Sequence, residues 1–136
     1  MARNALVDAG FLVALLSRRD SHHEWAVRQA PVHAPPWRTC EAVLSETFHL
    51  LGVSGAPALG ALLRRRALIS AFELDADVES VLKLLQKYAD VPMSLADACL
   101  VRMTETLPDP IILTTDSDFR IYRRHSRQMV PCLVPS

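Results

Sequence analysis

The sequence predicts an α/β fold, a three-layer sandwich in which a mostly parallel central sheet is flanked by helices. Short apolar segments alternate along the chain with helical patterns, and this alternation is typical of parallel sheets. Residues 110–114 (PIILT) form the continuous apolar run expected of a strand that is buried on both faces. The chain has 136 residues, of which 50% are hydrophobic. We therefore expect one domain, residues 1–136, with one core.

The first third of the chain predicts two strands and two helices. Residues 5–7 are a short apolar strand, and residues 10–17 have the composition of the helix that follows it. The sequence Ser-His-His-Glu at residues 21–24 fits a capping box, which predicts a helix to about residue 30. Residues 32–34 predict the second strand, which the two prolines after it would stop.

The rest of the chain continues the alternation. Residues 39–51 place apolar side chains on one helical face, and Gly52 and Gly55 break this helix before the next one begins. Residues 68–74 have the β-branched, alternating character of a strand. The remaining predictions are helices at residues 57–66, 78–88, 94–107 and 119–124, the strand at residues 110–114 and a last strand at residues 130–134.

Acidic residues lie repeatedly where a strand or loop leads into a helix, and together they predict a metal site. Asp8 follows the first strand, Asp116 follows a later apolar strand, Asp97 opens a helix, and Glu46 lies beside the apolar face of its helix. Because ligands bind at the carboxyl ends of parallel strands, we expect these side chains and Asp118 to converge. Clustered carboxylates repel one another unless a divalent cation neutralises them. The pattern therefore points to Mg²⁺ or Mn²⁺ and to phosphodiester chemistry.

Each of these acids also has an ordinary structural explanation. Asp8 and Asp116 are placed to cap the helices that follow them. Asp97 is the third-position partner of Ser94 in a Ser-x-x-Asp capping box. Asp118 would favour the positive end of the last short helix. One at a time, the structural explanations are the better ones, but five such positions in a short chain favour a shared site.

Glu46 is the acid whose role the periodicity leaves open. It falls on one flank of the apolar face of its helix, while Glu41 falls on the other flank and is equally well placed. Glu46 therefore either points into a cleft at the edge of the sheet or is an exposed helix residue.

Charge gives weak evidence about partners. Lys+Arg and Asp+Glu each number 15, so the formal net charge is zero and is no nucleic-acid signature by itself. If metal neutralised the five acids, 15 basic residues would face the 10 other acids. Most basic residues are arginines, whose guanidinium groups match phosphate. Two runs of them are either RNA-binding or solvated faces: Arg64, Arg65 and Arg66, then Arg120, Arg123, Arg124 and Arg127.

The cysteines and the N-terminal segment indicate in which cellular compartment the protein is expected. Cys40, Cys99 and Cys132 are odd in number, widely spaced and in apolar stretches, so we expect buried, reduced thiols in a cytosolic protein. Asp8 and Gly10 interrupt the first apolar stretch, which is too short to span a bilayer. We expect neither a signal peptide nor a membrane anchor, and a cytoplasmic localisation.

The acidic segments, in their order and spacing, resemble the PIN-domain family, and most closely its VapC-like members of the toxin–antitoxin type. The resemblance covers nearly the whole chain. The matching segments are residues 6–12 (LVDAGFL), 43–47 (VLSET), 94–98 (SLADA) and 113–119 (LTTDSDF), with residues 20–26 (DSHHEWA) as a subgroup feature.

This resemblance implies a PIN fold and an Mg²⁺- or Mn²⁺-dependent endoribonuclease. Asp8, Glu46, Asp97 and Asp116 would take the acidic positions of the family and Asp118 a more variable fifth, which selects Glu46 over Glu41. Asp8, Asp97 and Asp116 would bind the metal, while Glu46 and Asp118 would complete the shell or help to hold a second ion. The implied partners are an RNA substrate, a small antitoxin protein and a second copy of the chain in a homodimer.

Two alternatives stay open. Many family members carry a hydroxyl or amide residue after the first acid, whereas Ala9 cannot hydrogen-bond a phosphate or a water. The chain could therefore be a weakly active or inactive module that binds RNA or a protein partner. A phosphatase or receiver-like domain also places acids after parallel strands. That class needs a lysine near a phosphorylated Asp, and Lys83 and Lys87 lie in a helix distant from the motifs.

Overall fold

The computed structural model describes residues 3–136 and contains the predicted parallel sheet. The strands are β1 (Asn4–Val7), β2 (Trp37–Thr39), β3 (Leu68–Ser70), β4 (Pro110–Leu113), β5 (Arg123–Arg124), β6 (Gln128–Met129) and β7 (Cys132–Leu133). The helices are α1 (Ala9–Leu16), α2 (His23–Val32), α3 (Glu41–Arg64), α4 (Val78–Lys87) and α5 (Leu95–Thr106). Five strands pair in parallel in the order β3-β2-β1-β4-β7, and β5 with β6 forms a separate antiparallel pair. The predicted α/β fold with a parallel sheet is confirmed.

The two central strands position the rest of the molecule. Leu6 and Val7 of β1 and Ile112 and Leu113 of β4 are 0% exposed, because apolar side chains fill both faces of these strands. In the register of the pair, Val7 lies opposite Leu113. The residues that follow the two strands therefore start side by side at one edge of the sheet.

The second strand lies later in the chain than the sequence predicts. The prediction at residues 32–34 is wrong, because α2 continues to Val32 and the strand is β2. Trp37 accounts for the difference. It is 2% exposed, its backbone N–H donates to the Ala67 carbonyl at 2.8 Å, and its indole Nε1 donates to the His33 carbonyl at 2.6 Å. Burial of this tryptophan outweighs the β propensity of Val32.

The start of α2 and the interruption of α3 also differ from prediction. The capping box at residues 21–24 is wrong: the N-cap is His22, which makes no side-chain cap, and Oδ1 of Asp20 accepts the His22 N–H at 2.8 Å. The predicted interruption of the helix by Gly52 and Gly55 is confirmed only at Gly52, whose φ of 69° lies outside the helical region. Helix resumes directly after it and continues to Arg64.

The segment after β4 is a hairpin instead of the helix predicted at residues 119–124. It contains one 3₁₀ turn, Ser117–Arg120, followed by β5 and β6. His125 and Ser126 have φ of 48° and 69°, which lets the chain reverse between these strands. The strand predicted at residues 68–74 is also shorter than predicted, because β3 ends at Ser70.

Within residues 3–136, none of the helices combines the length and the apolar character that crossing a membrane requires.

Candidate active site

Asp8 is fixed at the junction of β1 and α1 by hydrogen bonds to both of its carboxylate oxygens. As N-cap of α1, it accepts the Phe11 backbone N–H at Oδ1, at 2.8 Å. Its Oδ2 accepts the hydroxyl of Thr114, the residue after β4. Asp8 is 6% exposed. The capping explanation is confirmed, and it also fixes the direction in which the carboxylate points.

Thr114 connects Asp8 to Asp116. Its Oγ1 donates to Asp8 and accepts the backbone N–H of Asp116 at 2.9 Å. Asp116 caps the 3₁₀ turn, since its Oδ1 accepts the Asp118 N–H at 2.8 Å. One buried hydroxyl therefore links the first and fourth acidic segments of the chain.

Asp97 is held at the start of α5 from two directions. The capping box with Ser94 is confirmed: Ser94 Oγ accepts the Asp97 N–H at 3.0 Å, and Asp97 Oδ2 accepts the Ser94 N–H at 3.2 Å. The hydroxyl of Tyr122, which is 0% exposed, donates to the same Oδ2 at 3.2 Å. Like Asp8, this carboxylate has a restricted orientation.

Four acids line one open cavity of about 340 Å³: Asp8, Glu46, Asp97 and Asp116. Glu46 is exposed and reaches the cavity from α3. Glu41 lines a different cavity. The structure thus separates two glutamates that helical periodicity could not separate.

The fifth acid, Asp118, does not contribute to the wall of this cavity. Its backbone N–H donates to Asp116, and its carbonyl accepts the Tyr122 N–H at 3.3 Å. Burial raises the pKa of the Tyr122 hydroxyl, and the charges of Asp97, Asp118 and Asp116 raise it further. Asp118 therefore lies beside the site, and its role as a ligand stays a prediction.

Burial and mutual repulsion raise the pKa of the two best-held acids. The pKa of Asp8 rises from 3.8 to about 7, mainly because burial disfavours the charged form, with added repulsion from Asp116 and Asp97. The pKa of Asp97 is also raised, first by burial and then by the charge of Asp116. The hydrogen bonds from Thr114 and Ser94 act in the opposite direction. A cation in the cavity would stabilise both carboxylates in their charged form.

The donor set fits a hard divalent cation by its chemistry. The cavity wall offers carboxylate and hydroxyl oxygens, which suit Mg²⁺ or Mn²⁺ better than a softer metal. Across the described residues, 3–136, no three acidic, histidine or cysteine side chains already lie close enough together to hold an ion.

The two predicted arginine runs differ in their availability. Arg123 is committed to the fold, because its guanidinium donates to three backbone carbonyls at 2.7, 3.0 and 3.1 Å. Arg120 and Arg127 in the same run are exposed, as are all three arginines at residues 64–66. A phosphate backbone would meet these exposed side chains and not Arg123.

Sequence reasoning missed two features of the site, Tyr122 and Gly10. Tyr122 lies in a segment predicted to be helical, and no spacing signal ties it to Asp97. In the sequence, Gly10 is visible only as a break in an apolar stretch. A Cβ at Gly10 would lie 2.2 Å from Oγ1 of Thr115 and 3.5 Å from Oδ1 of Asp8. The missing side chain thus allows the start of α1 to lie close to Thr115, in the segment after β4.

Comparisons with known proteins agree with this fold. The PIN domain family model matches residues 5–124. The crystal structure of Mycobacterium tuberculosis VapC20, described as a sarcin-ricin loop cleaving toxin, superposes with a TM-score of 0.74 at 24% sequence identity, over 84% of this chain and 91% of that chain. A search of curated proteins finds no match. The structural match confirms the predicted fold.

Proposed function

This chain belongs to the PIN domain family, and we propose that it is a metal-dependent endoribonuclease, the toxin of a toxin–antitoxin module. The observation that carries the proposal is the convergence of four acids, from β1, α3, α5 and the end of β4, on one cavity. The similarity to VapC20, a toxin that cleaves the sarcin-ricin loop, supports RNA as the substrate class. We take residues 1–136 as one domain and the cytoplasm as its compartment.

The acids have distinct tasks in this proposal. Asp8, Asp97 and Asp116 hold Mg²⁺ or Mn²⁺, while Glu46 and Asp118 complete the shell or help to hold a second ion. When bound, the metal supplies an activated water and stabilises charge on the attacked phosphate. The bonds from Thr114 and Tyr122 keep the Asp8 and Asp97 carboxylates oriented, so less reorganisation is needed on binding.

The exposed arginines would hold the RNA without reading its sequence. Arg120, Arg127 and the arginines at residues 64–66 are available for phosphate contacts. Specificity would then come from the fold of the RNA or from exposed single-stranded bases.

The proposed protein partners are a small antitoxin and a second copy of the chain. On α3, Leu59 and Leu62 are 0% and 5% exposed and belong to the core, so neither is available for such an interface. Phe48 remains accessible on α3, next to the exposed side chains of Leu50 and Val53. These three are available for either interface.

A cleavage assay with matched variants tests the proposal. Purified protein is incubated with mixed cellular RNA in Mn²⁺, in Mg²⁺ and in EDTA, with Asp97→Asn as the site variant and Glu41→Gln as the control. We expect cleavage by the wild type and by Glu41→Gln with either metal, and none in EDTA or by Asp97→Asn. RNA that is bound but not cut in every condition would favour the binding module that Ala9 keeps open. Cleavage that persists in EDTA would contradict metal dependence.

A further inference from the structure

A small cavity lies where α4 meets the turn between β5 and β6 and the last turn of α5, and two lysines form part of its wall. Its volume is about 160 Å³. Lys83 and Lys87 are the two lysines of the chain, and because they are four residues apart on α4, they project from the same face of this helix. The rest of the wall consists of Ser80, Leu84, Glu105 and Ser126. This site is called the lysine cavity below.

The wall of the lysine cavity carries more positive than negative charge. Nζ of Lys87 donates to the Ser126 carbonyl at 2.9 Å, so one ammonium group is fixed at the wall and keeps further N–H donors. The side chain of Lys83 is exposed. Glu105, the acid of this wall, already accepts Nη1 of Arg102 at 3.2 Å and a backbone N–H of the hairpin at 2.6 Å. The free charge in this cavity is therefore positive, and it suits an anion.

The hairpin beside the lysine cavity adds basic side chains. Arg127 follows Ser126 in the chain and is exposed. Arg124 is half-buried, and its Nη2 lies 3.3 Å from Nε2 of His125. Its Nε is buried and has no hydrogen-bond partner, although buried donors are normally satisfied by protein, water or a bound ligand. The basic surface therefore extends from α4 onto the hairpin.

The lysine cavity lies a short distance from the acidic cavity along α5. Asp97 of the acidic cavity and Glu105 of the lysine cavity both belong to this helix, and their separation in sequence corresponds to about 12 Å along the helix axis. Two aromatic rings form a second connection. Tyr88, the residue after Lys87, packs against Tyr122 with ring centroids 5.2 Å apart, and the Tyr122 hydroxyl donates to Asp97 at 3.2 Å. Since one strand of a stacked nucleic acid rises roughly 3.4 Å per nucleotide, the two cavities are about three or four nucleotides apart.

We propose that the lysine cavity holds a phosphate group of the RNA, about three or four nucleotides from the bond that the acidic cavity cuts. This inference rests on the proposed function, since it takes RNA as the substrate. The ammonium groups of Lys83 and Lys87 would pair with the phosphate oxygens as point charges, and the hydroxyls of Ser80 and Ser126 supply further donors. Contacts of this kind position a nucleic acid without reading its bases. The strand would then be held at a second point while it crosses the acidic cavity.

Fluorescence anisotropy with a labelled single-stranded RNA of mixed sequence tests the proposal. Binding is measured in EDTA at a series of salt concentrations, for the wild type and for a double variant with Lys83→Gln and Lys87→Gln. Loss of one phosphate contact should lower the slope of log affinity against log salt by about 0.7 and weaken binding about 5-fold at about 0.1 M salt. The readout is binding and not cleavage. A protein that binds RNA through these lysines without cutting it would therefore support this proposal while contradicting the nuclease proposal.

A charge-matched control separates a defined site from general attraction. The double variant with Arg18→Gln and Arg19→Gln removes the same charge from two exposed arginines after α1, and we expect it to bind RNA as the wild type does. Lys83→Gln alone leaves the bond from Lys87 to Ser126 in place and should show a smaller loss than the lysine double variant. Circular dichroism shows whether each variant is folded.

Three results would overturn the proposal. The first is an equal loss of affinity in the lysine and arginine double variants, which would indicate attraction by overall charge. The second is an unchanged affinity and salt slope in the folded lysine double variant. The third is lysine-dependent binding of polyglutamate in place of RNA, which would indicate that the cavity takes an acidic protein segment.

Discussion

The acidic cavity has two unlike sides, one built from strand ends and one from α3. On the strand side, Asp8 and Asp116 are joined through Thr114 and accept hydrogen bonds from backbone N–H groups. On α3, Glu46 lines the cavity with an exposed side chain. The sheet register therefore sets where the site is, while Glu46 contributes from a less constrained position. Substitutions on the strand side should therefore have the larger effects.

Asp8→Asn should have the largest effect on activity, equalled only by Asp97→Asn. The substitution removes a charged oxygen from the best-fixed acid, so we expect the cleavage rate in Mn²⁺ to fall by more than the roughly 100-fold that loss of an outer partner can cause. Circular dichroism should show an unchanged fold, because the Asn oxygen can still accept the Phe11 N–H. A cleavage rate near that of the wild type would remove Asp8 from the mechanism.

The same substitution should stabilise the metal-free protein at neutral pH. The folded pKa of Asp8, about 7, lies above its ordinary 3.8, so the folded state holds this proton more tightly than the unfolded state does. The contribution of Asp8 to stability is therefore fully present below about pH 4 and is lost as the pH rises through about 7. Three pKa units correspond to at most about 4 kcal/mol.

Denaturant unfolding in EDTA at a series of pH values measures this effect. The stability of Asp8→Asn relative to the wild type should grow between about pH 4 and pH 7 and then level off. Added Mn²⁺ should reduce the difference at pH 8, since it would stabilise the wild type more. A difference that does not change with pH would mean that Asp8 titrates normally.

Glu46→Gln should have a moderate effect on cleavage, on the order of 10-fold. Glu46 lines the cavity, but its side chain is exposed and can be replaced by water more easily than a buried carboxylate. Glu41→Gln is the matched control, because it is an exposed glutamate of the same helix that lines the other cavity. Equal cleavage rates for the two variants would contradict the assignment of Glu46.

Tyr122→Phe should have the smallest effect, a loss of several-fold in Mn²⁺ affinity. The substitution removes only the hydroxyl that orients Asp97 Oδ2, and the Ser94 bonds to Asp97 remain. Calorimetric titration with Mn²⁺ measures the affinity directly. If Tyr122→Phe weakened binding as much as Asp8→Asn, the site would depend on the hairpin segment more than on the strand ends.

Local sequence decides the centre of the site, which is why that part was predictable. Apolar runs mark β1 and β4, and the acids that follow them are helix caps whose pattern is visible in the sequence. The Ser94–Asp97 capping box is equally local. The hydrogen bonds by which these acids cap their helices also hold their carboxylates at the proposed metal site.

Tertiary contacts decide what the sequence reasoning missed. The strand β2 has only three residues, and the burial of Trp37 sets its position. The hairpin after β4 depends on two residues with positive φ, His125 and Ser126. Neither is a glycine, so the sequence does not mark the turn. Tyr122 donates to Asp97 from the segment for which the sequence predicts a helix.

A crystal soaked in Mn²⁺ tests most directly whether acids from distant segments share one hard cation. We predict an anomalous peak in the acidic cavity, with carboxylate oxygens of Asp8, Asp97 and Asp116 within about 2.6 Å of it or joined to it through waters. An occupied Mn²⁺ site elsewhere on the protein, with these three carboxylates still apart around an empty cavity at saturating metal, would contradict the account.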